Sequence, residues 1–305
     1  MTASSDRPYP PFELASRVRP LDEYSDPIRA YEQMGSQMRE ALLRLLPDDW
    51  SFDGKRMLDF GCGAGRTLRH FLTEAESAEF WGTDVDAASI DWMEENLCPP
   101  LHSWRSSHGP PLGLEHRSFD LVWAISVFTH LTLASIPWLL ELHKLLKPDG
   151  LLIATYYGRW NSDFLAGEPW EEDRIGMNVL RHNVGWDRGG PVVLMSDWWV
   201  REHWGRLFEI IGTEPQIDNM TWVLLRKRDV ELTIEDVARP SDDPREYLAV
   251  RHNLHQVQRE LDEEKRRFEA GLEEQRRNYE SSLSWRLTRP LRAGKKLRDR
   301  RRPGP

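Results

Sequence analysis

The segment MLDFGCGAGRTLRHF, residues 57–71, constrains the fold more than any other part of the chain. An apolar run of strand character carries Asp59, glycines follow at the alternate positions Gly61, Gly63 and Gly65, and a stretch with helical spacing comes next. Glycine lets the backbone bend sharply after a strand and lets a ligand approach the main chain within contact distance. Free N–H groups at the start of the following helix add positive potential at that point. Dinucleotides, nucleotides and S-adenosylmethionine are all bound at such turns, and a tight turn with no ligand has the same signature.

The rest of the chain supplies the frame for this turn. Candidate strands RMLDF, EFWGTD, FDLVWAIS and GLLIATYY alternate with helical patterns at roughly 65–76, 86–97 and 134–146. This alternation predicts a parallel sheet with helices on both faces. Before it, DPIRAYEQMGSQMREALLRLLP has the spacing of a helix that ends at Pro47; after it, SDWWVREHWGRLFEIIG reads as a helix and GTEPQIDNMTWVLLRKR as a final strand pair. The chain divides into a Pro-rich irregular segment (1–24), a main domain (25–228), an acidic linker (229–245), a charged helix (246–284) and a basic tail (285–305). In the charged helix, Tyr247, Val250, Leu254, Val257 and Leu261 follow 3-4-3-4 spacing, and Phe268, Leu272 and Tyr279 continue it imperfectly. Either a coiled-coil homodimer stem or a solvated helix docked on its own domain has this pattern.

Two acidic residues narrow the choice of ligand. Asp84 ends the second strand about 20 residues past the glycine turn, where a carboxylate can accept hydrogen bonds from both ribose hydroxyls. Each bond to a charged acceptor contributes about 1.5 to 3 kcal/mol. Asp59 lies inside the glycine motif itself, where it would repel a pyrophosphate and attract the ammonium of a methionine moiety. The acid favours S-adenosylmethionine.

The stretches LDFGCGAGR, GTDVDAASIDW, PPLGLEHRSFDLVWAISVFTHL and LHKLLKPDGLLIATYYG, in that order, resemble the class I S-adenosylmethionine-dependent methyltransferases over about residues 25–228. SVFTHL together with GCGAGRTLRHF is similar to a bacterial branch that modifies surface glycans and natural products. The resemblance implies a Rossmann-like α/β fold, a mostly parallel sheet with an antiparallel final strand. A helical or coiled-coil extension follows that domain here. The resemblance also implies that Asp59, Gly61, Gly63 and Gly65 line the methionine half of the cofactor, Asp84 the ribose, Val85 the adenine, and that Ser126 borders the sulfonium. One departure falls in the last strand, which reads NMTWVLLRK where such proteins often have QDLVVLRK.

The methyl acceptor is less legible. Methyl transfer is a direct displacement that rests on alignment, and a hydroxyl acceptor also has to lose its proton. His130, just beyond the fourth strand, is the candidate base, with a packing role as the alternative. Between Tyr156 and Trp204 lie two Tyr and six Trp, with Asp163, His182 and Asp187 among them. Flat aromatic faces edged by carboxylates suit a sugar ring, and the same residues suit a lid and core. His182, Asp163 and Asp187 match no compact metal motif, and no metal is expected.

Charge and composition bound the partners. Residues 285–305 hold nine Arg and Lys against Asp299, a balance of +8, which leaves −17 on residues 1–284. An acidic body makes nucleic acid an unfavourable partner. The tail, with Leu283, Leu287 and Leu291 beside Trp285, reads as a basic amphipathic segment for an anionic membrane surface or for glycan-assembly proteins, or as a solubilising tail. The SWRLTRPLR ending resembles those of bacterial enzymes that build surface polysaccharides. Two cysteines without a C-x-x-C pair fit a reducing cytoplasm, and no segment has the length of an apolar span or a secretion signal. A cytoplasmic methyltransferase, peripheral at the inner membrane face, is the expectation for a sugar acceptor. A natural-product acceptor and a non-catalytic cofactor-binding scaffold are the alternatives.

Overall fold

The structure is a computed structural model that describes residues 7–17, 20–132, 134–161, 170–182, 184–185, 189–282 and 288. Two compact units are present, residues 1–254 and 255–305. The first is built on a seven-stranded sheet. Its strands in chain order are β1 (Arg56–Phe60), β2 (Glu79–Asp84), β3 (His102–Arg105), β4 (Phe119–Ala124), β5 (Leu146–Tyr156), then β8 (Phe208–Ile217) and β9 (Met220–Lys227). A separate hairpin pairs β6 (Met177–Leu180) with β7 (Val192–Met195). The sheet order is β3-β2-β1-β4-β5-β9-β8. The first five strands run parallel, β9 is antiparallel to β5, and β8 is antiparallel to β9. This is the class I methyltransferase fold with the reversed final strand.

The helices are α1 (Phe12–Ala15), α2 (Pro27–Leu45), α3 (Ala87–Leu97), α4 (Ser135–Leu145), α5 (Asp197–His203), α6 (Ile234–Ala238) and α7 (Pro244–Ser281). Pro27 opens α2 where its missing N–H costs nothing, and the Asp26 carboxylate accepts from the Arg29 amide at 3.0 Å. Apolar side chains cover both faces of the sheet. One layer joins Leu58, Val122, Leu152 and Val223 to α4 and α5, and the other joins Met57, Leu121, Ile153 and Leu224 to α2 and α3. Successive residues on each strand point to opposite faces, so the stretches LVWA of β4 and LLIA of β5 are apolar at every position because both faces are buried.

Several elements depart from the periodic reading. The segment after the glycine turn is not one helix over 65–76 but two single 3-10 turns, Leu68–Phe71 and Glu74–Glu76. Beside it, α2 crosses so closely at Gly35 that a Cβ there would lie 2.4 Å from the Arg66 carbonyl oxygen. The helical reading of 196–212 stops at His203, and after a 3-10 turn the chain enters β8 at Phe208. There Phe208 and the partly buried Ile210 pack into the core. β3, with the polar sequence HSWR at the sheet edge, and the β6–β7 hairpin carried no periodic signal. Within the acidic linker, α6 is held by a reciprocal cap between Thr233 and Asp236. Residues 7–17, in the Pro-rich stretch, include α1 and are tied down. Arg69, 1% exposed, donates to the carbonyls of Arg7 (3.1 Å) and Pro8 (3.3 Å) and lies 4.2 Å over the Tyr9 ring.

Candidate active site

The glycine turn lies at the carboxyl end of β1, where the parallel sheet opens. Gly61, Gly63 and Gly65 have φ of 87°, 54° and 75°, left-handed values that a side chain would strain. Gly61 also has no room for a Cβ, which would sit 2.4 Å from Val127 Cγ2 in the loop after β4. The Gly61 and Cys62 amides donate to the Thr83 carbonyl at 2.8 and 3.0 Å, which fixes the turn against the end of β2.

Asp59 faces Gly82 and Trp123 on the neighbouring strands and is 3% exposed. Burial raises its pKa to about 7. The Trp123 indole N–H nearby offsets part of this without reaching hydrogen-bond geometry, and the Asp84 charge adds to the rise. Asp59, Gly61 and Cys62 line a small cleft with Tyr31, Ala64, Arg66, Thr67 and Ile125, and Leu14 and Ala15 of α1 form another of its walls. Arg17, just past α1, pairs with Asp86 beyond β2. The amino-terminal segment therefore borders the cleft, a feature that local periodicity in a Pro-rich stretch did not reveal.

Asp84 is oriented by the backbone on both of its oxygens. Oδ2 accepts from the Gly63 amide at 2.8 Å and Oδ1 from the Asp86 amide at 2.9 Å. Burial nevertheless pushes its pKa up, against these bonds. Each carboxylate oxygen keeps a second lone pair for a ligand hydroxyl. Val85 follows, half-buried. The structure thus brings Asp59, Gly61, Gly63, Gly65, Asp84 and Val85 to one end of β1 and β2.

Ser126 and His130 belong to the adjoining loop after β4. Ser126 has φ 59°, its amide donates to Thr155 Oγ1 at 2.7 Å, and Thr129 Oγ1 donates to its carbonyl at 2.8 Å. His130 Nδ1 lies 2.8 Å from the Pro191 carbonyl. A carbonyl oxygen only accepts, so Nδ1 carries the proton and Nε2 of the neutral ring bears a lone pair. Burial lowers the His130 pKa, partly opposed by that bond. The Tyr157 ring meets the imidazole edge-on at 6.4 Å between centroids, and Gly190 packs against its other side. The β6–β7 hairpin supplies Pro191 and is joined to the loop by the Val193 amide on the Thr129 carbonyl.

Most of the aromatic stretch is core. Tyr156, Trp198, Trp199 and Trp204 are buried, Tyr156 donates to Asp197 at 2.7 Å, and Trp198 donates to the Ile175 carbonyl at 3.0 Å. Trp160 is exposed. Asp163, Trp186 and Asp187 lie outside the described residues, as do Trp285, Leu287 and Leu291 of the tail. Among the described residues no group of three or more His, Cys, Asp or Glu is arranged around a metal position, and no helix is long and apolar enough to cross a membrane.

Strand order and glycine turn together define the class. Residues 58–152 match the family model described as a methyltransferase domain. A tRNA U34 carboxymethyltransferase of Idiomarina loihiensis is 30% identical over 36% of this chain and 35% of its own length. A ubiquinone biosynthesis O-methyltransferase of Bartonella tribocorum is 25% identical over 48% and 58%. The chain spans 35% to 61% of the length of the curated relatives it matches. Among solved structures, a Pyrococcus horikoshii protein aligns with TM-score 0.49 and 17% identity over 70% of this chain and 98% of its own. The magnesium protoporphyrin IX methyltransferase of Synechocystis with bound S-adenosylhomocysteine aligns with TM-score 0.48 and 14% identity over 70% and 94%.

S-adenosylmethionine is the cofactor of such a domain, and the residues present fit it. A buried carboxylate beside a glycine cradle suits an ammonium, and a carboxylate anchored on two backbone amides suits a pair of hydroxyls.

Proposed function

We propose that the protein is an S-adenosylmethionine-dependent O-methyltransferase that acts on a sugar hydroxyl of a bacterial surface glycan or its lipid-linked precursor. S-adenosylmethionine supplies, when bound, a methyl group on a positively charged sulfur. Asp59 takes the ammonium, Asp84 the ribose hydroxyls and Val85 the adenine, while Gly61, Gly63 and Gly65 admit the ligand to the backbone and Ser126 borders the methyl donor. His130 accepts the acceptor's hydroxyl proton at Nε2. The observation that carries the hydroxyl reading is the Nδ1 bond to Pro191, which holds the ring in the tautomer that leaves Nε2 basic.

Two of the similar proteins are tRNA enzymes by name. The −17 charge of residues 1–284 argues against a polyanion here, because binding one draws on clustered cations. The basic tail supports work at an anionic membrane, where a lipid-linked sugar is presented. A small phenolic or quinol acceptor is the second reading, favoured by the similarity to a ubiquinone-pathway O-methyltransferase. Transfer of labelled methyl from S-adenosylmethionine to nucleotide sugars and lipid-linked oligosaccharides, run beside quinols and tRNA, separates these readings. Label on an oligosaccharide oxygen is the expected result; label only on quinols or tRNA overturns it.

A further inference from the structure

The carboxy-terminal part of α7 presents an apolar stripe with a repeat of its own. Between His255 and Ser281 the large apolar residues are Val257, Leu261, Phe268, Leu272 and Tyr279. Leu261, Phe268, Leu272 and Tyr279 are 54%, 67%, 49% and 62% exposed, values that water-facing polar residues have in an ordinary helix. Their spacing alternates 4 and 7, so Val257, Phe268 and Tyr279 repeat every 11 residues, and so do Leu261 and Leu272. A heptad reading fails after Leu261, since of its next five core positions, Glu264, Phe268, Gly271, Gln275 and Asn278, only Phe268 is large and apolar. An 11-residue period is about 3.67 residues per turn, close to the natural 3.6, so the stripe runs nearly straight. At about 100° per residue all five residues fall within an arc of about 60°, and the row is about 33 Å long.

The borders of the stripe carry opposite charge. Glu260 and Glu264 flank one side, with Gly271 and Asn278 neutral beside them and Gln275 in line with Val257 at that edge of the stripe. Lys265 and Arg276 flank the other, with Gln258 next to them and Glu269 at the outer margin. When two parallel copies of a helix meet face to face, the left border of one meets the right border of the other. In an antiparallel pair each border meets its own kind.

We propose that this stripe is covered by the same stripe of a second copy of the chain, as a parallel, in-register pair of helices with little or slightly right-handed supercoil. Apolar rows then close on each other, and Glu260 of one copy faces Lys265 of the other. In the antiparallel arrangement that sets Leu261 opposite Leu272, Glu260 meets the neutral Gly271 and Gln275 and this pair is lost, so charge favours the parallel one. The pairing is independent of the catalytic reading, and its tests read mass and cross-links only.

The test uses the full-length protein. Light scattering on a sizing column is expected to give at least twice the chain mass of 35.7 kDa. Phe268→Asp should return the monomer mass with an unchanged circular dichroism spectrum. Glu260→Lys should weaken association at least fivefold, and adding Lys265→Glu should restore it. Leu261→Cys and Leu272→Cys, each alone, should cross-link to itself on oxidation, with wild type, which carries the buried Cys62 and the half-buried Cys98, as the blank. A monomeric wild type overturns the proposal. So does cross-linking only when the two cysteine variants are mixed, which is the antiparallel result.

Discussion

With Asp59 as the proposed ammonium site, its raised pKa predicts that cofactor affinity falls as pH drops below 7. In the free protein the carboxyl titrates at about 7, because burial opposes its charge. The proposed ammonium contact needs the ionised form. At pH 7.5 about three quarters of Asp59 is ionised, and at pH 6.0 about one tenth. Affinity for S-adenosylhomocysteine should therefore fall about eightfold over this interval, or about 1.2 kcal/mol. The ligand's own amino group stays mostly protonated across this range, so its titration adds little. Isothermal titration calorimetry at both pH values measures the change directly, and Asp59→Asn is the control: weaker at pH 7.5, with the pH slope gone. The same shift acts on folding. A carboxyl whose folded pKa lies above its unfolded value stabilises the fold fully below about pH 4, and that stability is lost as pH rises through about 7. Asp59→Asn should remove this slope and raise the melting temperature of the ligand-free protein at pH 7.5. An unchanged affinity between pH 7.5 and 6.0, or the same slope in wild type and Asp59→Asn, refutes the reasoning.

Further predictions concern the base and the amino-terminal segment. His130→Ala should lower kcat by about 100-fold or more while leaving S-adenosylhomocysteine affinity within about twofold, which initial-rate kinetics and calorimetry separate. Because burial holds the His130 pKa below its ordinary value, the acid limb of the wild-type kcat profile should fall below the usual histidine range and vanish in that variant. Nitrogen NMR of the neutral ring should show the proton on Nδ1; a proton on Nε2 contradicts its role as acceptor. Arg17→Ala breaks the pair with Asp86 that fastens the segment after α1, and should raise the S-adenosylhomocysteine off-rate about threefold in stopped flow with little change in melting temperature.

The parts legible in the sequence are those with local chemical logic. Asp59, Gly61, Gly63, Gly65 and Asp84 could be placed together because a strand end, a glycine turn and the end of the next strand meet wherever a parallel sheet opens. β4 and the second half of β5 stood out by the apolar stretches LVWA and LLIA because both faces of the sheet are covered. β3 did not, since an edge strand such as HSWR buries little and carries no pattern. The single helix expected after the turn gave way to two 3-10 turns where α2 crosses at Gly35, a contact between residues about 30 apart in sequence that no local window contains. The same is true of Pro191, 61 residues beyond His130, whose carbonyl sets the imidazole tautomer. The clamp of Arg69 on Arg7 and Pro8 also spans about 60 residues, and only the folded chain displays it. In α7 the pattern was present throughout, and the heptad template hid an 11-residue one.

In the proposed function the end of β1 and β2 holds S-adenosylmethionine through Asp59 and Asp84. Calorimetric titration of the purified chain with S-adenosylhomocysteine and, separately, with NAD tests it most directly, with Asp84→Ala in parallel. Saturable one-site binding of S-adenosylhomocysteine is expected, at least tenfold weaker in Asp84→Ala with the fold intact, and no heat from NAD. Binding of NAD with indifference to S-adenosylhomocysteine contradicts it.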